Sequence, residues 1–90
     1  MAKLALLDML SIKGKDHQYD ELLEELKKTL RDRKNPIVEV EMARIEIEHL
    51  SLKKQYKDSA RILGRYQSKF TEKCCEQLIR NIPESFIRSL

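Results

Sequence analysis

Few residues in this chain have types and spacings that could do chemistry. The adjacent Cys74 and Cys75 could form a redox pair or half of a thiolate metal site. A disulfide between neighbours in a helix is geometrically unfavourable, so both are read as reduced thiols of an intracellular protein. Zinc would need two further ligands, and only His17 and His49 exist, at no recognised metal spacing. His49 shares an apolar stripe with Val38, Met42, Ile45 and Leu52, the setting of a core or interface histidine rather than a catalytic base. His17 reads as a solvated residue near a helix start. Asp20, Glu21, Glu24 and Glu25 could suggest a carboxylate cluster, but the dipole of a helix start attracts acids without any catalytic purpose. Gly14 and Gly64 stand alone, so there is no glycine-rich phosphate loop. The sequence therefore predicts no catalytic residue, no metal ligand, no cofactor and no enzyme activity.

The sharpest surface feature is cationic. Lys53, Lys57, Arg61, Arg65, Lys69 and Lys73 recur at every fourth position, side by side along a helix. Like charges at that spacing repel by a few tenths of a kcal/mol per pair, relieved only in places by Asp58, Glu72 and Glu76. Such a row is a candidate ridge for an acidic protein surface or a phosphate backbone, or else a solvated face. No aromatic interleaving or base-reading Asn/Gln cluster accompanies it, so a protein partner is favoured over nucleic acid. The net charge of +3 is uneven: residues 53–90 hold 9 Lys+Arg against 4 Asp+Glu, whereas residues 1–52 hold 9 against 11.

These residues must be positioned by helices. Ninety residues with two glycines, two prolines and 37% charged side chains suit a small all-α domain and suit a sheet badly. Leu4, Leu7 and Leu10 repeat at helical spacing over residues 2–13, with Leu6 and Met9 widening the stripe, and Gly14 offers a left-handed cap. Asp16 is the expected N-cap of a second helix over about 17–34, with Tyr19, Leu22, Leu23, Leu26 and Leu30 as its buried stripe. Asn35 caps a third helix that begins at Pro36.

That third helix is apolar on two opposed sides. Val38, Met42, Ile45, His49 and Leu52 fall on one, and Val40, Ala43, Ile47 and Leu50 on the other. Its alternating Val-Glu-Val-Glu-Met is a strand competitor, but the alternation changes phase at Ala43. With few helices available to cover both sides, the Val40, Ala43, Ile47 and Leu50 face is a candidate partner-binding face. Beyond it two paths are open. A polar elbow at Lys53-Lys54-Gln55 would bend the chain into a fourth helix from Tyr56 to about Arg80. Alternatively, one helix over residues 37–80 would form a coiled coil. Gln-Tyr at 18–19 and at 55–56, 37 positions apart, favours the bend. The expectation is thus four antiparallel helices, or five, as stacked hairpins in a single domain over residues 1–80. Residues 81–90, with Phe86, Ile87 and Leu90, would make a turn or docking tail.

Ile37-Val38-Glu39-Val40-Glu41 with Ala43-Arg44-Ile45, followed by Tyr56-Lys57-Asp58-Ser59-Ala60-Arg61-Ile62-Leu63, resembles the helix-turn-helix units of tetratricopeptide-like scaffolds. It is closest to those in proteasome-lid and COP9-signalosome subunits. The likeness covers about a third of the chain. It implies that Tyr56 opens the second helix of a unit and that Ser59-Ala60 lets two helices approach, and it implies a protein-binding scaffold. The chain departs from the pattern at the large Ile47 and in a turn without glycine.

The expected function is a non-enzymatic protein–protein interaction module: a small helical adaptor, assembly factor or complex subunit that binds a partner protein or itself. The alternatives are a nucleic-acid binder using the basic row and a coiled-coil chaperone or dimer. No run approaches a membrane span of about 20 apolar residues, and the start at Met1 is a poor signal peptide because Asp8 interrupts it. A cytoplasmic or nuclear location is expected.

Overall fold

Gly14 and Pro36 set the first three helices. The computed structural model describes residues 2–88, the side chain of Ala2 excepted. Helix α1 (Ala2–Ile12) ends where Gly14 adopts φ 72°, a conformation that a side chain would resist. The Lys15 N–H donates to the Leu10 carbonyl (3.0 Å) and the Gly14 N–H to that of Ser11 (3.2 Å). These are the paired bonds of a Schellman cap. Helix α2 (Asp16–Asp32) follows at once, and Lys15 rather than Asp16 holds its cap position, with no side-chain cap bond. The tight turn brings the helix in one residue earlier than expected. Lys3 meets Glu25 at 3.2 Å, so α1 and α2 run antiparallel as a hairpin. Helix α3 (Pro36–Leu52) begins as the sequence predicts: Asn35 Oδ1 accepts from the N–H groups of Ile37 (3.1 Å) and Val38 (3.4 Å).

The chain then bends. Lys54 stands at φ 62°, with the Gln55 N–H bonded to the Leu50 carbonyl (2.9 Å) and the Lys54 N–H to that of Ser51 (3.1 Å). The single helix over 37–80 is therefore not formed. A non-glycine residue in this conformation costs about 1–2 kcal/mol.

The two turns share the same pair of bonds, and Lys54 lies 40 positions after Gly14. Leu10-Ser11-Ile12-Lys13-Gly14 matches Leu50-Ser51-Leu52-Lys53-Lys54. At that offset buried Leu7 corresponds to buried Ile47, Ser11 to Ser51, Val38 to Leu78 and Met42 to Ile82. A helical hairpin of about 40 residues is thus written twice, and the Gln-Tyr echo is three residues out of register with it.

Beyond the bend come α4 (Tyr56–Tyr66), a 3-10 turn (Gln67–Lys69), α5 (Glu72–Arg80) and the short α6 (Glu84–Ile87). The fourth helix expected to reach Arg80 breaks because Thr71, in extended conformation, caps a new one. Its hydroxyl accepts from the Cys74 N–H at 3.2 Å. Beyond residue 80, where a turn or docking tail was expected, Ile82 is buried, Phe86 and Ile87 pack with it, and the Phe86 ring lies 5.7 Å from that of Tyr56. Leu90 is outside the described residues.

The described residues are all-α, and the chain divides into two compact units inside α3, between Ile45 and Glu46. The first unit packs Leu4, Leu7 and Leu10 against Tyr19 and Leu26 and against Val38, Met42 and Ile45. The second packs Ile47, Ala60, Leu63, Leu78 and Ile82, with Tyr56, Phe70 and Cys74 around them. Helix α3 therefore contributes one side of its first part to one core and Ile47 to the other.

Ile47 is 0% exposed. Ile47→Asp would bury an unpaired carboxylate, and the protein is expected to lose several kcal/mol or fail to fold in urea titration; a variant within about 1 kcal/mol of the parent contradicts that placement. Lys54→Gly is expected to raise stability by about 0.5–1 kcal/mol, because glycine removes the left-handed strain and returns part of the gain as chain entropy. A lowered midpoint would show that the Lys54 side chain matters more than its backbone.

Candidate functional site

The residues expected to face a partner on α3 are mostly covered by the chain itself. Ala43 and Ile47 are buried, and Val40 and Leu50 are half-buried. Sequence periodicity marks a side as apolar and does not say what covers it. Ser59 is fully buried where α4 approaches α3, and Ala60 follows it. Ser51 Oγ lies 2.8 Å from the Ile47 carbonyl, Ser59 Oγ lies 2.9 Å from the same carbonyl, and the two hydroxyls are 2.9 Å apart. Two hydroxyl protons cannot fill three ordinary bonds at once, so the pair shares them while both oxygens stay satisfied. This polar knot fixes the depth at which α4 meets α3. It is a packing device rather than a reactive centre.

All six members of the cationic row are exposed, and they are divided among four elements. Lys53 is in the turn after α3, and Lys57, Arg61 and Arg65 line α4. Lys69 is in the 3-10 turn, 5.7 Å from the Tyr66 ring centroid, and Lys73 is on α5. The continuous part is the α4 triplet, about 12 Å long at 1.5 Å per residue.

Cys74 and Cys75 are half-buried. Cys74 packs in the second core, and the Cys75 thiol lies 3.6 Å from the Gln67 carbonyl. His49 is buried, and His17 is exposed with its Nε2 3.0 Å from Glu21. Among the described residues no three His, Cys, Asp or Glu converge as metal ligands do, and no helix is long and apolar enough to cross a membrane.

The surface that sequence reasoning underrated is on α1. Its inner side, Leu4, Leu7 and Leu10, fills the first core. Its outer side carries Ala5, Leu6, Met9 and Ile12, an arc of about 120° at 100° per residue with no charge within α1 across it. Leu6 and Met9 are each 42% exposed and Ile12 is 72% exposed. Isolated apolar residues on a surface are ordinary; an uncharged outer side on an 11-residue helix is a patch. The signal was present in the sequence, since α1 holds only Lys3 and Asp8 as charges.

Two grooves border this face within the first unit. Leu6 and Leu10 of α1 meet Gln18, Glu21, Leu22 and Glu25 of α2 in one. Ala5 and Asp8 meet Ile37, Glu41 and Arg44 of α3 in the other, where Arg44 is held by Glu41 at 3.1 Å. Ile37, 78% exposed, extends the apolar surface there. Comparison with protein-family models, with curated proteins and with solved structures returns no significant match to this chain.

Since the outer side of α1 contributes nothing to either core, Leu6→Gln/Met9→Gln is expected to leave stability within about 0.5 kcal/mol. Leu7→Ala, one step round the same helix, is expected to cost about 2–5 kcal/mol. Equal losses for the two variants in urea titration would place the outer side in a core.

Proposed function

We propose that this chain is a non-enzymatic interaction module that binds another protein through the outer side of α1. The observation that carries the reading is that α1 has an uncharged outer arc, Ala5, Leu6, Met9 and Ile12, besides the inner side that fills the chain's own core. A second apolar side left outside the core is surface that a partner can bury. The duplicated hairpin supports it as well. In stacked helical repeats each hairpin buries one face on its neighbour, and a terminal hairpin without a polar outer face leaves that surface open. Carried back 40 positions, the α3 residues Ile45 and His49, both buried, correspond to Ala5 and Met9 of α1, both exposed. The position that is covered in the second hairpin is open in the first. A tetratricopeptide-like scaffold in a reducing compartment fits this arrangement and is part of the same proposal.

The reading moves the partner surface from the α3 face with Val40, Ala43, Ile47 and Leu50 to the α1 face with Leu6, Met9 and Ile12. The nucleic-acid alternative loses its main support with the division of the cationic row between elements.

The test is comparative capture with the whole chain and its Leu6→Glu/Met9→Glu variant, followed by titration of each purified candidate. The expected result is a protein that binds the parent chain and binds the folded variant at least about tenfold more weakly, a loss of about 1.4 kcal/mol. If every purified candidate binds both chains equally, α1 is not the docking face.

A further inference from the structure

Resting on the reading of α1 as a docking face, we infer that its occupant is an amphipathic helix of another protein, apolar on one side and basic along its flank, lying along α1 in the groove toward α2. The shape comes first. An exposed apolar stripe on a helix, next to a groove floored by Leu6, Leu10 and Leu22, is the receptor side of helix-in-groove recognition. The occupant brings anchors at i, i+3 or i+4 and i+7 to Leu6, Met9 and Ile12. Charge then selects the partner. The linings of the two grooves beside α1 hold the carboxylates Glu21, Glu25, Asp8 and Glu41 and a single guanidinium, Arg44, already bound to Glu41. Glu21 and Glu25 stand one turn apart on α2, so their carboxylates form a short acidic rail parallel to the apolar stripe. Their present partners, His17 at 3.0 Å and Lys3 at 3.2 Å, are exposed. Exposed pairs are weak, so an incoming lysine or arginine can replace or join them.

The same rail argues against two other occupants. An anionic lipid surface would be repelled by these carboxylates, although an apolar helix flanked by lysines would attract one. The basic triplet of a second copy lies on α4, whose apolar side is buried in its own core, so that helix cannot offer cations and anchors together. An interface on a helix of about 16 Å is small, and its affinity belongs in the micromolar range of transient complexes.

The experiment uses the full chain and two synthetic 18-residue helices of identical leucine spacing, one with lysines and one with glutamates on the flanks, read by fluorescence anisotropy. The lysine peptide is expected to bind with micromolar Kd and the glutamate peptide at least about tenfold more weakly. Glu21→Gln/Glu25→Gln, a change on the exposed side of α2 that keeps the fold, is expected to reduce that preference to less than about threefold. Leu6→Glu/Met9→Glu is expected to abolish binding of both peptides. Equal binding of the two peptides, or binding of neither, overturns the inference. So does attachment to phosphatidylcholine–phosphatidylglycerol vesicles without peptide binding. So does a concentration-dependent dimer that Met9→Glu dissolves and the lysine peptide does not compete. A purified partner that needs Leu6 and Met9 but is indifferent to Glu21 and Glu25 would sink the charge inference and leave the docking face standing.

Discussion

Helix α3 is the constraint on which the rest depends. It is too apolar to be a surface helix, because its hydrophobic residues lie on two opposed sides. Val38, Met42 and Ile45 complete a core with α1 and α2, and Ile47 enters a second core with α4, α5 and the segment that follows. A short chain cannot bury a large fraction of its surface, and hairpins of this size are marginal alone. One helix thus supplies residues to two cores. The turns that make this possible are cheap where glycine is present and strained where Lys54 takes its place.

Among the described residues, the exposed large apolar side chains are Ile37 and Leu52 at the two ends of α3, and Leu6, Met9 and Ile12 of α1, which share one side of that helix with no charge within α1 across it. The acidic residues of α2 border it. The helix dipole explains why carboxylates stand near the start of α2, yet it does not make the adjacent groove apolar; that comes from Leu6, Leu10 and Leu22. Two features with separate origins, an apolar stripe and carboxylates, thus stand beside one groove. The cationic row has the opposite history. A periodic pattern in the sequence is divided among a turn, α4, a 3-10 turn and α5, so no single helix carries it.

Much of the fold was legible from local chemistry. Gly14, the Asn35-Pro36 pair and the polar elbow at Lys53–Gln55 mark helix ends by backbone preference alone, and each acts as expected. The break near Thr71 was missed because the apolar stripe from Tyr56 to Leu78 continues through it in helical register. Only the capping threonine signalled a new start. The repeat was seen in the wrong register, since Gln-Tyr is conspicuous while Leu-Ser-x-Lys is not. The exposed apolar side of α1 was marked by that helix's scarcity of charge, but the signal was not read. Leu6 and Met9 appeared only to widen a buried stripe, and Ile47 seemed to lack cover. Periodicity gives the direction of an apolar side chain relative to its helix, and covering it depends on where the other helices arrive.

Amide hydrogen exchange on the isolated chain tests most directly whether its own residues close both sides of α3. The account predicts slow exchange through α3 from Met42 to Ser51 with no partner present, comparable with the best protected amides of α2 and α4. Rapid exchange over residues 46–51 in the isolated chain, slowed only when another protein binds, would contradict it and return the partner surface to α3.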